Sequence, residues 1–273
     1  MKNRIGVCSW SLRAGTPKLL ADRLTSAGVG CCQLALDPLR KGAWSLDDTV
    51  DILYEAGIEI RSGMMGMRGE DYSTLESIRR TGGVRPDQHW KGNLEDAQAT
   101  AEVARGLNLD LVTLHAGFLP HDPKDPERAR MIERLAELVE CFVGEGVRVG
   151  FETGQESAAT LLEVLAELDH PDAGVNFDPA NMLLYDSGDP IEALSMLAPH
   201  VLQIHVKDAV RPKQPGTWGQ EVPVGRGEVD WESFFRVLRE KELECDLMIE
   251  REAGESRVAD VKAARELVER LAG

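Results

Sequence analysis

The sequence predicts an α/β protein, a single (β/α)8 or TIM barrel in which eight parallel strands close into a cylinder surrounded by helices. Apolar segments of strand length alternate with amphipathic helical segments along the whole chain, a pattern typical of parallel sheets with helical connections. The 273 residues are close to the roughly 250 that are typical of such barrels. No break in composition marks a second domain, so we expect one domain over residues 1–273.

The strand candidates are short apolar runs, each long enough for one barrel strand. They are predicted at residues 4–9, 31–36, 58–64, 110–115, 147–152, 173–178, 201–206 and 245–250. The helices are predicted at residues 16–27, 45–56, 87–106, 126–145, 157–168, 189–197, 230–241 and 256–271. In the fourth helix Met131, Leu135 and Leu138 recur at helical spacing, and Gly28 and Gly146 follow helices as C-terminal caps.

Two strand-to-helix connections are longer than the others, residues 65–86 after the third strand and residues 207–229 after the seventh. Active sites of such barrels are built from these connections, at the C-terminal ends of the strands. Long connections there commonly act as lids or binding loops. We therefore expect both to border the active site, with Glu70, Asp71 and Tyr72 as part of a lid.

Composition excludes several classes of function. The formal net charge is −16 and Lys and Arg are not clustered, which argues against nucleic acid as a partner because phosphate backbones are bound by basic surfaces. No segment approaches the roughly 18 apolar residues of a membrane helix, and the N-terminus lacks the apolar core of a signal peptide. The five cysteines indicate reduced thiols. We expect a cytoplasmic protein without a membrane partner, and the sequence leaves a homo-oligomer open.

Four strand candidates in the second half of the chain each end in a side chain that can bind a metal. These side chains are Glu152, Asp178, His205 and Glu250. The C-terminal ends of parallel strands lie at one edge of the sheet, so we expect the four groups to converge. Their carboxylates would repel one another unless a divalent cation lay among them. Oxygen-rich ligation with one nitrogen suits Mn²⁺, the ion we expect, with Mg²⁺ or Co²⁺ as alternatives to it.

The alternation of side chains along these strands supports the same site. Successive side chains of a strand point to opposite faces, so the residue before each candidate ligand should point outward to the helices. Those residues are Phe151, Phe177, Ile204 and Ile249. All four are apolar, whereas the opposite register would bury four ionisable groups beneath helices at a cost of several kcal/mol each.

Segments around these residues resemble the sugar phosphate isomerase/epimerase group, the xylose isomerase-like TIM barrels. The segments are FETG at 151–154, NFDPAN at 176–181, QIHVKD at 203–208, GRGEVDW at 225–231 and IE at 249–250. The resemblance covers nearly the whole chain. Within that group the chain resembles the ketose 3-epimerases and the inosose enzymes. This resemblance implies one divalent ion held by Glu152, Asp178, His205 and Glu250. It also implies a substrate contact from Arg211, six residues after the histidine.

The chain departs from the ketose 3-epimerase pattern at two positions. Asn181 stands where those enzymes usually have a histidine, and Ala158 stands where they have a second glutamate, with Gln155 or Glu156 as candidate replacements. In that family both positions contact sugar rather than metal. The resemblance therefore implies an intact metal site and an altered sugar pocket.

The expected reaction is isomerisation or epimerisation of a small sugar or sugar-like ketone. A metal bound to a carbonyl and the neighbouring hydroxyl would stabilise the enediolate formed when the adjacent proton is lost, and Glu152 and Glu250 could exchange that proton. Lys207 and Arg211 could neutralise the developing negative charge. The candidate substrate-binding residues are His115, Asn181, Lys207, Arg211, Gln33, Trp10 and Gln155.

Other functions remain open from sequence. A metal-dependent lyase or hydratase acting on a keto-sugar, keto-glycoside or keto-inositol needs the same metal and the same proton abstraction. An endonuclease on this barrel would need further histidines and a basic surface, which six histidines and a charge of −16 disfavour. A sugar-binding protein without activity would tolerate loss of one proton-transferring glutamate, and both are present.

Overall fold

The structure is a computed structural model that describes residues 3–272. Eight parallel strands close into a barrel in the order β1-β10-β7-β6-β5-β4-β3-β2. The barrel strands are β1 (Ile5–Cys8), β2 (Cys31–Ala35), β3 (Glu59–Met64), β4 (Leu111–Leu114), β5 (Arg148–Glu152), β6 (Ala173–Phe177), β7 (Val201–Val206) and β10 (Asp246–Ile249). The predicted (β/α)8 barrel is confirmed, and every strand lies within one residue of its predicted bounds at each end.

The eight predicted helices are also confirmed, and three short helices were not predicted. The helices are α1 (Pro17–Ala27), α2 (Asp37–Arg40), α3 (Leu46–Glu55), α4 (Leu75–Thr81), α5 (Asp87–Gly106), α6 (Pro126–Val143), α7 (Ala158–Leu168), α8 (Pro179–Leu184), α9 (Pro190–Leu197), α10 (Trp231–Glu240) and α11 (Arg257–Ala272). The unpredicted α2, α4 and α8 lie within strand-to-helix connections, and 3₁₀ turns occupy Ser9–Leu12 and Ala198–His200. They are too short for a helical period to be visible in sequence.

The core lies between the strands and the surrounding helices. Phe151, Phe177, Ile204 and Ile249, the four residues expected to point outward from the barrel, are all buried. The ring of Phe177 lies 6.1 Å from that of Phe234 on α10, so this strand residue packs on a helix. The predicted register is therefore consistent with the observed packing of the helix layer.

The connection between β3 and α5 is attached to the end of β4. Gly83 has a φ of +61° and its backbone lies against Ala116, so an added Cβ there would collide with the Ala116 carbonyl. The amide of Val84 donates to the same carbonyl at 3.1 Å. This close approach, which only glycine permits at Gly83, fixes the connection beside His115.

The connection between β7 and α10 contains a small antiparallel hairpin of β8 (Asp208–Val210) and β9 (Gln220–Val222). Asp208 is fully buried and accepts hydrogen bonds from the amides of Gly225 at 2.8 Å, Gly227 at 3.1 Å and Val229 at 3.2 Å. The indole of Trp231 donates to it at 3.0 Å. One buried carboxylate thus fixes the shape of this long connection.

Two expectations from composition can be compared with the described residues. All five cysteines are free, in agreement with the interpretation as reduced thiols. Within residues 3–272 none of the helices combines the length and the apolar character that crossing a bilayer requires.

Candidate metal centre and active site

The four candidate metal ligands converge at the C-terminal end of the barrel. One ligand atom from each of Glu152, Asp178, His205 and Glu250 lies within 4.8 Å of the others, and all four residues are buried. Glu152 ends β5 and His205 lies in β7, while Asp178 and Glu250 directly follow β6 and β10. Neighbouring parallel strands thus bring together four groups that are far apart in sequence.

A buried glutamine orients the imidazole of His205. Gln33 donates through Nε2 to the Gly63 carbonyl at 3.1 Å and to Thr113 Oγ1 at 2.7 Å, which directs its Oε1 to His205 Nε2 at 2.7 Å. Because an amide oxygen only accepts, His205 donates this hydrogen bond from Nε2, so Nδ1 is the ring nitrogen available to a cation once the ring is neutral. Nδ1 lies 3.3 Å from Glu250 Oε2, toward the centre of the cluster.

Several atoms facing that centre have no hydrogen-bond partner. They are Asp178 Oδ2, His205 Nδ1 and Glu250 Oε2. The other oxygen of Asp178 accepts from the amides of Ala180 at 2.8 Å and Asn181 at 3.0 Å. Buried polar atoms without hydrogen bonds are costly. The two carboxylate oxygens lie near the ammonium of Lys207, and a divalent cation would bind all three atoms. The donor set, three carboxylates and one imidazole, suits a cation that prefers oxygen.

Cys8 does not alter this conclusion. Its thiol could join His205 and Glu250 as a ligand set by distance alone. Burial, the largest cause, raises the pKa of Cys8 to about 12, so the thiol stays protonated near neutral pH. Since only the thiolate binds metals well, the carboxylate set is the better site.

Hydrogen bonds hold both candidate proton-transfer groups. Asn181 Nδ2 donates to Glu152 Oε1 at 2.7 Å, and Trp10 Nε1 donates to Glu250 Oε1 at 2.7 Å. His115 Nε2 lies 3.9 Å from Glu152 Oε2. Asn176 Nδ2 also donates to Glu152 Oε2 at 3.3 Å. These hydrogen bonds restrict the rotation of both carboxylates.

Lys207 is buried at the edge of the cluster. Its Nζ lies 3.0 Å from Glu250 Oε2, 3.7 Å from Asp178 Oδ2 and 2.6 Å from Glu252 Oε2. This ammonium partly balances a cluster that is otherwise dominated by carboxylates. It also lies close enough to the centre to stabilise negative charge that develops on a bound substrate.

The protonation of the cluster follows from these contacts. Burial alone would raise the pKa of Glu250, but Lys207 and His205 outweigh it and hold that pKa well below the usual range. For Asp178 burial dominates and its pKa is raised well above the usual value. Burial disfavours the charged form of His205, but the nearby Cys8 and glutamates raise its pKa well above the ordinary one. Glu250 is thus ionised and able to accept a proton.

A cavity of about 560 Å³ opens above the cluster. Glu152, Lys207 and Glu250 lie in its wall, together with Trp10, His115 and Asn181 from the predicted substrate-binding set. Its remaining wall includes the rings of Tyr72, Tyr185 and Trp218. The cavity combines a polar end at the cluster with aromatic surfaces, a combination common in sites for small molecules.

Three predicted substrate-binding residues do not line this cavity. Gln33 is fully buried and accepts a hydrogen bond from His205 Nε2. Arg211 donates to Asp186 Oδ1 at 3.0 Å and to the Gly188 carbonyl at 2.8 Å, so its guanidinium is held outside the cavity. Gln155 borders a different cavity, beside His121. The structure places none of the three where it would touch a substrate in the cavity.

Several cavity residues were missed in the sequence. They are Asp37, Tyr185, Trp218 and Glu252, all of which line the cavity. These residues belong to connections or to short helices, where no periodic pattern indicates the direction of a side chain. Glu70 and Tyr72, which were expected in a lid, line the cavity as well. For Trp218 the length of its connection was the one signal in sequence.

The fold and the site together define a class of protein. The chain belongs to the xylose isomerase-like TIM barrel family, whose model matches residues 21–272. A xylose isomerase domain protein from Planctomyces limnophilus has a solved structure that is 29% identical, with a TM-score of 0.85 over 99% of this chain and 96% of that chain.

Two further solved structures share the fold at lower identity. The probable 3-DHS dehydratase AsbF from Bacillus anthracis is 17% identical with a TM-score of 0.75, over 97% of this chain and 98% of that one. The D-allulose 3-epimerase from Methylomonas sp., solved in complex with D-allulose, is 15% identical with a TM-score of 0.74, over 98% of this chain and 97% of that one. At these identities the likeness shows the fold alone.

Curated relatives match only part of the chain. The uncharacterized protein YihM from Escherichia coli is 29% identical over 175 residues, which is 54% of this chain and 53% of that protein. The 3-oxo-isoapionate decarboxylase of Pectobacterium atrosepticum is 22% identical over 152 residues, 54% of each. The 3-dehydroshikimate dehydratase of Bacillus anthracis is 26% identical over 121 residues, 42% of each. The chain thus spans about half the length of the curated relatives it matches.

Proposed function

We propose that this protein is a divalent-metal-dependent isomerase or epimerase of a small, uncharged sugar ketone. The observation that supports the proposal best is the set of buried atoms of Asp178, His205 and Glu250 that have no hydrogen bond. They converge with Glu152 at the polar end of a cavity that can hold a monosaccharide. A D-allulose 3-epimerase shares the fold, which is consistent with the proposal.

The ion would be held by the four converging side chains, Glu152, Asp178, His205 and Glu250. Mn²⁺ is the expected metal, with Mg²⁺ or Co²⁺ as alternatives. A neighbour from Mycobacterium smegmatis on the same fold was solved with magnesium, which supports a divalent ion without fixing its identity. When bound, such an ion supplies electrostatic stabilisation for negative charge on a carbonyl oxygen.

The chain's own residues would move the proton. Glu250, which is ionised because Lys207 and His205 lower its pKa, takes the proton from the carbon beside the ketone. Glu152, on another strand of the same cluster, would return to that carbon, from the opposite face, a proton that it takes up from solvent, which gives epimerisation. Delivery to the neighbouring carbon gives isomerisation instead. Lys207 stabilises the negative charge of the intermediate, and Asn181 and Trp10 keep the two carboxylates in position.

The charge of the cavity supports an uncharged substrate. Beyond the candidate ligands, the carboxylates of Asp37, Glu70 and Glu252 also line it, and the one arginine expected there, Arg211, is bonded elsewhere. Lys207 is the one Lys or Arg among the described residues that line the cavity, and it is already paired with Glu250 and Glu252. A phosphate or carboxylate on the substrate would therefore find no free cation there. This differs from two curated relatives, whose names indicate 3-oxo-isoapionate and 3-dehydroshikimate, both carboxylates, as substrates.

A lyase or hydratase acting on an uncharged keto-glycoside is a second candidate. The same proton abstraction would begin an elimination, and the rings of Tyr185 and Trp218 lie 4.9 Å apart in the cavity wall. Aromatic faces of this kind can hold a leaving group such as an aglycone. A cavity of about 560 Å³ leaves room for one beside a sugar ring.

Solvent deuterium exchange separates these activities. The metal-loaded chain is incubated in D₂O with a panel of ketoses, inososes and 3-keto-glucosides, and products are identified by mass spectrometry and NMR. Deuterium at the carbon beside the ketone with a rearranged sugar supports the isomerase or epimerase. Deuterium with loss of water or aglycone supports the lyase. Absence of exchange from every uncharged ketone, with turnover of a carboxylated one, would contradict the proposed substrate class.

A further inference from the structure

A second cavity of about 400 Å³ carries a concentration of positive charge that the reaction does not use. It lies between the 3₁₀ turn after β1 and the start of α11, and Arg13, Arg23 and Arg257 all line it. Glu255 is the one carboxylate among its lining residues. With three guanidiniums and one carboxylate, the lining of this cavity is net positive, in a chain whose net charge is −16.

Two of these guanidiniums are held by neutral backbone carbonyls. Arg257 is buried and donates to the Gly254 carbonyl at 2.8 Å and to the carbonyls of Arg251 and Glu252. Arg23 donates to the Arg13 carbonyl at 2.8 Å. Carbonyls fix the geometry of an arginine without cancelling its charge, so these side chains are pre-organised and remain positive.

The electrostatics of Arg257 agree with this geometry. Burial, first, and the charge of Arg13, second, lower the pKa of Arg257. Because the charge of Arg13 still lowers the pKa of Arg257, the nearby carboxylates do not fully neutralise the positive charge of the three arginines. An anion in the cavity would relieve that repulsion.

Glu255 already occupies part of the place that an anion would take. Its carboxylate accepts from Arg13 Nη1 at 2.9 and 3.0 Å, and its side chain is 87% exposed. An ion pair this exposed contributes little, so another oxyanion can displace it without much loss. Glu255 therefore acts as a weak internal competitor.

We propose that this cavity is a binding site for a small oxyanion, a phosphate or phosphomonoester, separate from the active site. None of its lining residues also lines the larger cavity. Planar guanidiniums match the oxygens of phosphate in geometry and charge. The volume of about 400 Å³ exceeds what inorganic phosphate alone needs, so the organic part of a phosphomonoester also has room. The inference does not depend on the proposed isomerase activity.

Isothermal titration of inorganic phosphate into the full chain, at constant ionic strength set with chloride, tests the site. We expect saturable binding of one phosphate per chain. Arg13→Gln and Arg23→Gln should each weaken it by about tenfold, since each removes a charge-assisted contact. Glu255→Gln should tighten it about threefold, because the internal competitor is gone. Arg105→Gln, an exposed arginine on α5, is the charge-matched control and should leave affinity within about twofold.

Two results would overturn the site. One is the absence of saturable phosphate binding by the unaltered chain. The other is binding that Arg13→Gln and Arg23→Gln leave intact while Glu250→Gln removes it, since phosphate would then occupy the metal centre. General charge effects also give opposite signs for Arg23→Gln and Glu255→Gln, so the assignment is supported only when both shifts exceed that of the Arg105→Gln control.

Discussion

The two halves of the barrel contribute different chemistry to one cavity. Strands β5, β6, β7 and β10 carry, near or just beyond their ends, four residues whose ligand atoms meet within 4.8 Å: Glu152, Asp178, His205 and Glu250. The first half of the barrel, β1 to β4 with their connections, supplies no member of that set. It contributes instead the indole of Trp10, from the 3₁₀ turn after β1, which bonds to Glu250, and the amide of Gln33 on β2, which bonds to His205.

The second half of the barrel would hold the cation, and the first half orients the side chains that hold it. Ionisable side chains are concentrated in the second half, where each is costly unless it is paired. The first half places neutral donors and acceptors against them, which fixes rotamers and protonation without adding charge. Substitutions in the second half should therefore remove function, whereas those in the first half should reduce it.

The largest effect is expected from Glu250→Gln. The amide cannot take a proton from carbon and is a poor metal ligand, so deuterium exchange should fall by about a thousandfold or more. The metal-free variant should unfold at a lower temperature than the parent, because the buried ammonium of Lys207 loses its ion pair with Glu250 at 3.0 Å, so exchange is measured well below that temperature. Glu240→Gln, on the exposed end of α10, is the control. Near-normal exchange in Glu250→Gln would contradict the role of the second half.

Glu156→Gln tests a buried acid of the second half of the barrel that lies outside the ligand set. Burial raises its pKa to about 8, above its unfolded value of 4.5. The folded state thus favours the protonated form, and stability falls as pH rises from about 4.5 to about 8. The full loss is at most about 5 kcal/mol.

The glutamine variant does not titrate, so its melting temperature should exceed that of the parent at pH 8.5 and match it near pH 5. Differential scanning calorimetry across this range measures the difference. Equal melting temperatures at both pH values would show that Glu156 is not buried as a neutral acid. Metal affinity at pH 7 should not change, which distinguishes this residue from the four candidate ligands.

Gln33→Met tests the support from the first half. Without the acceptor for Nε2–H, the imidazole of His205 loses its fixed orientation, and Mn²⁺ affinity should fall by about tenfold or more. Calorimetric titration of Mn²⁺ measures this directly. Gln155→Met, which replaces another buried glutamine away from the cluster, is the matched control. Unchanged Mn²⁺ affinity in Gln33→Met would mean that the orientation of the His205 imidazole does not depend on Gln33.

The smallest effect is expected from Trp10→Phe. The ring is retained but the donor to Glu250 Oε1 is lost, so kcat/KM should fall about fivefold while Mn²⁺ affinity stays within about twofold. Trp44→Phe removes an indole donor that bonds to the Gly15 carbonyl, and it should leave the kinetics unchanged. A drop as large as that of Glu250→Gln would remove the distinction between the two halves.

Sequence predicted the regular elements and the candidate ligands far better than the rest of the cavity. The strand ends at Glu152 and His205 were predictable because period-2 alternation fixes which side chains point inward. The family resemblance implied a substrate contact from Arg211, but the nearby Asp186 and the Gly188 carbonyl hold its guanidinium outside the cavity. Backbone geometry of the long connections, not spacing, decides such positions.

Gln33 illustrates a different kind of limit. Its place on β2 was visible in sequence, and a hydrogen bond to a substrate hydroxyl was a reasonable expectation. The barrel closes so that this residue lies beneath His205, a contact between strands that are not neighbours. Contacts across the interior depend on strand tilt and on the depth of each side chain, which a single sequence does not specify.

Titration of Mn²⁺ into the metal-stripped chain, followed by solvent deuterium exchange into a responsive ketone, tests whether one bound cation is required for proton transfer. We expect no exchange without metal, a linear rise with added Mn²⁺, and a plateau at one ion per chain. Exchange that persists in the metal-stripped chain, or that is insensitive to Glu250→Gln, would contradict it.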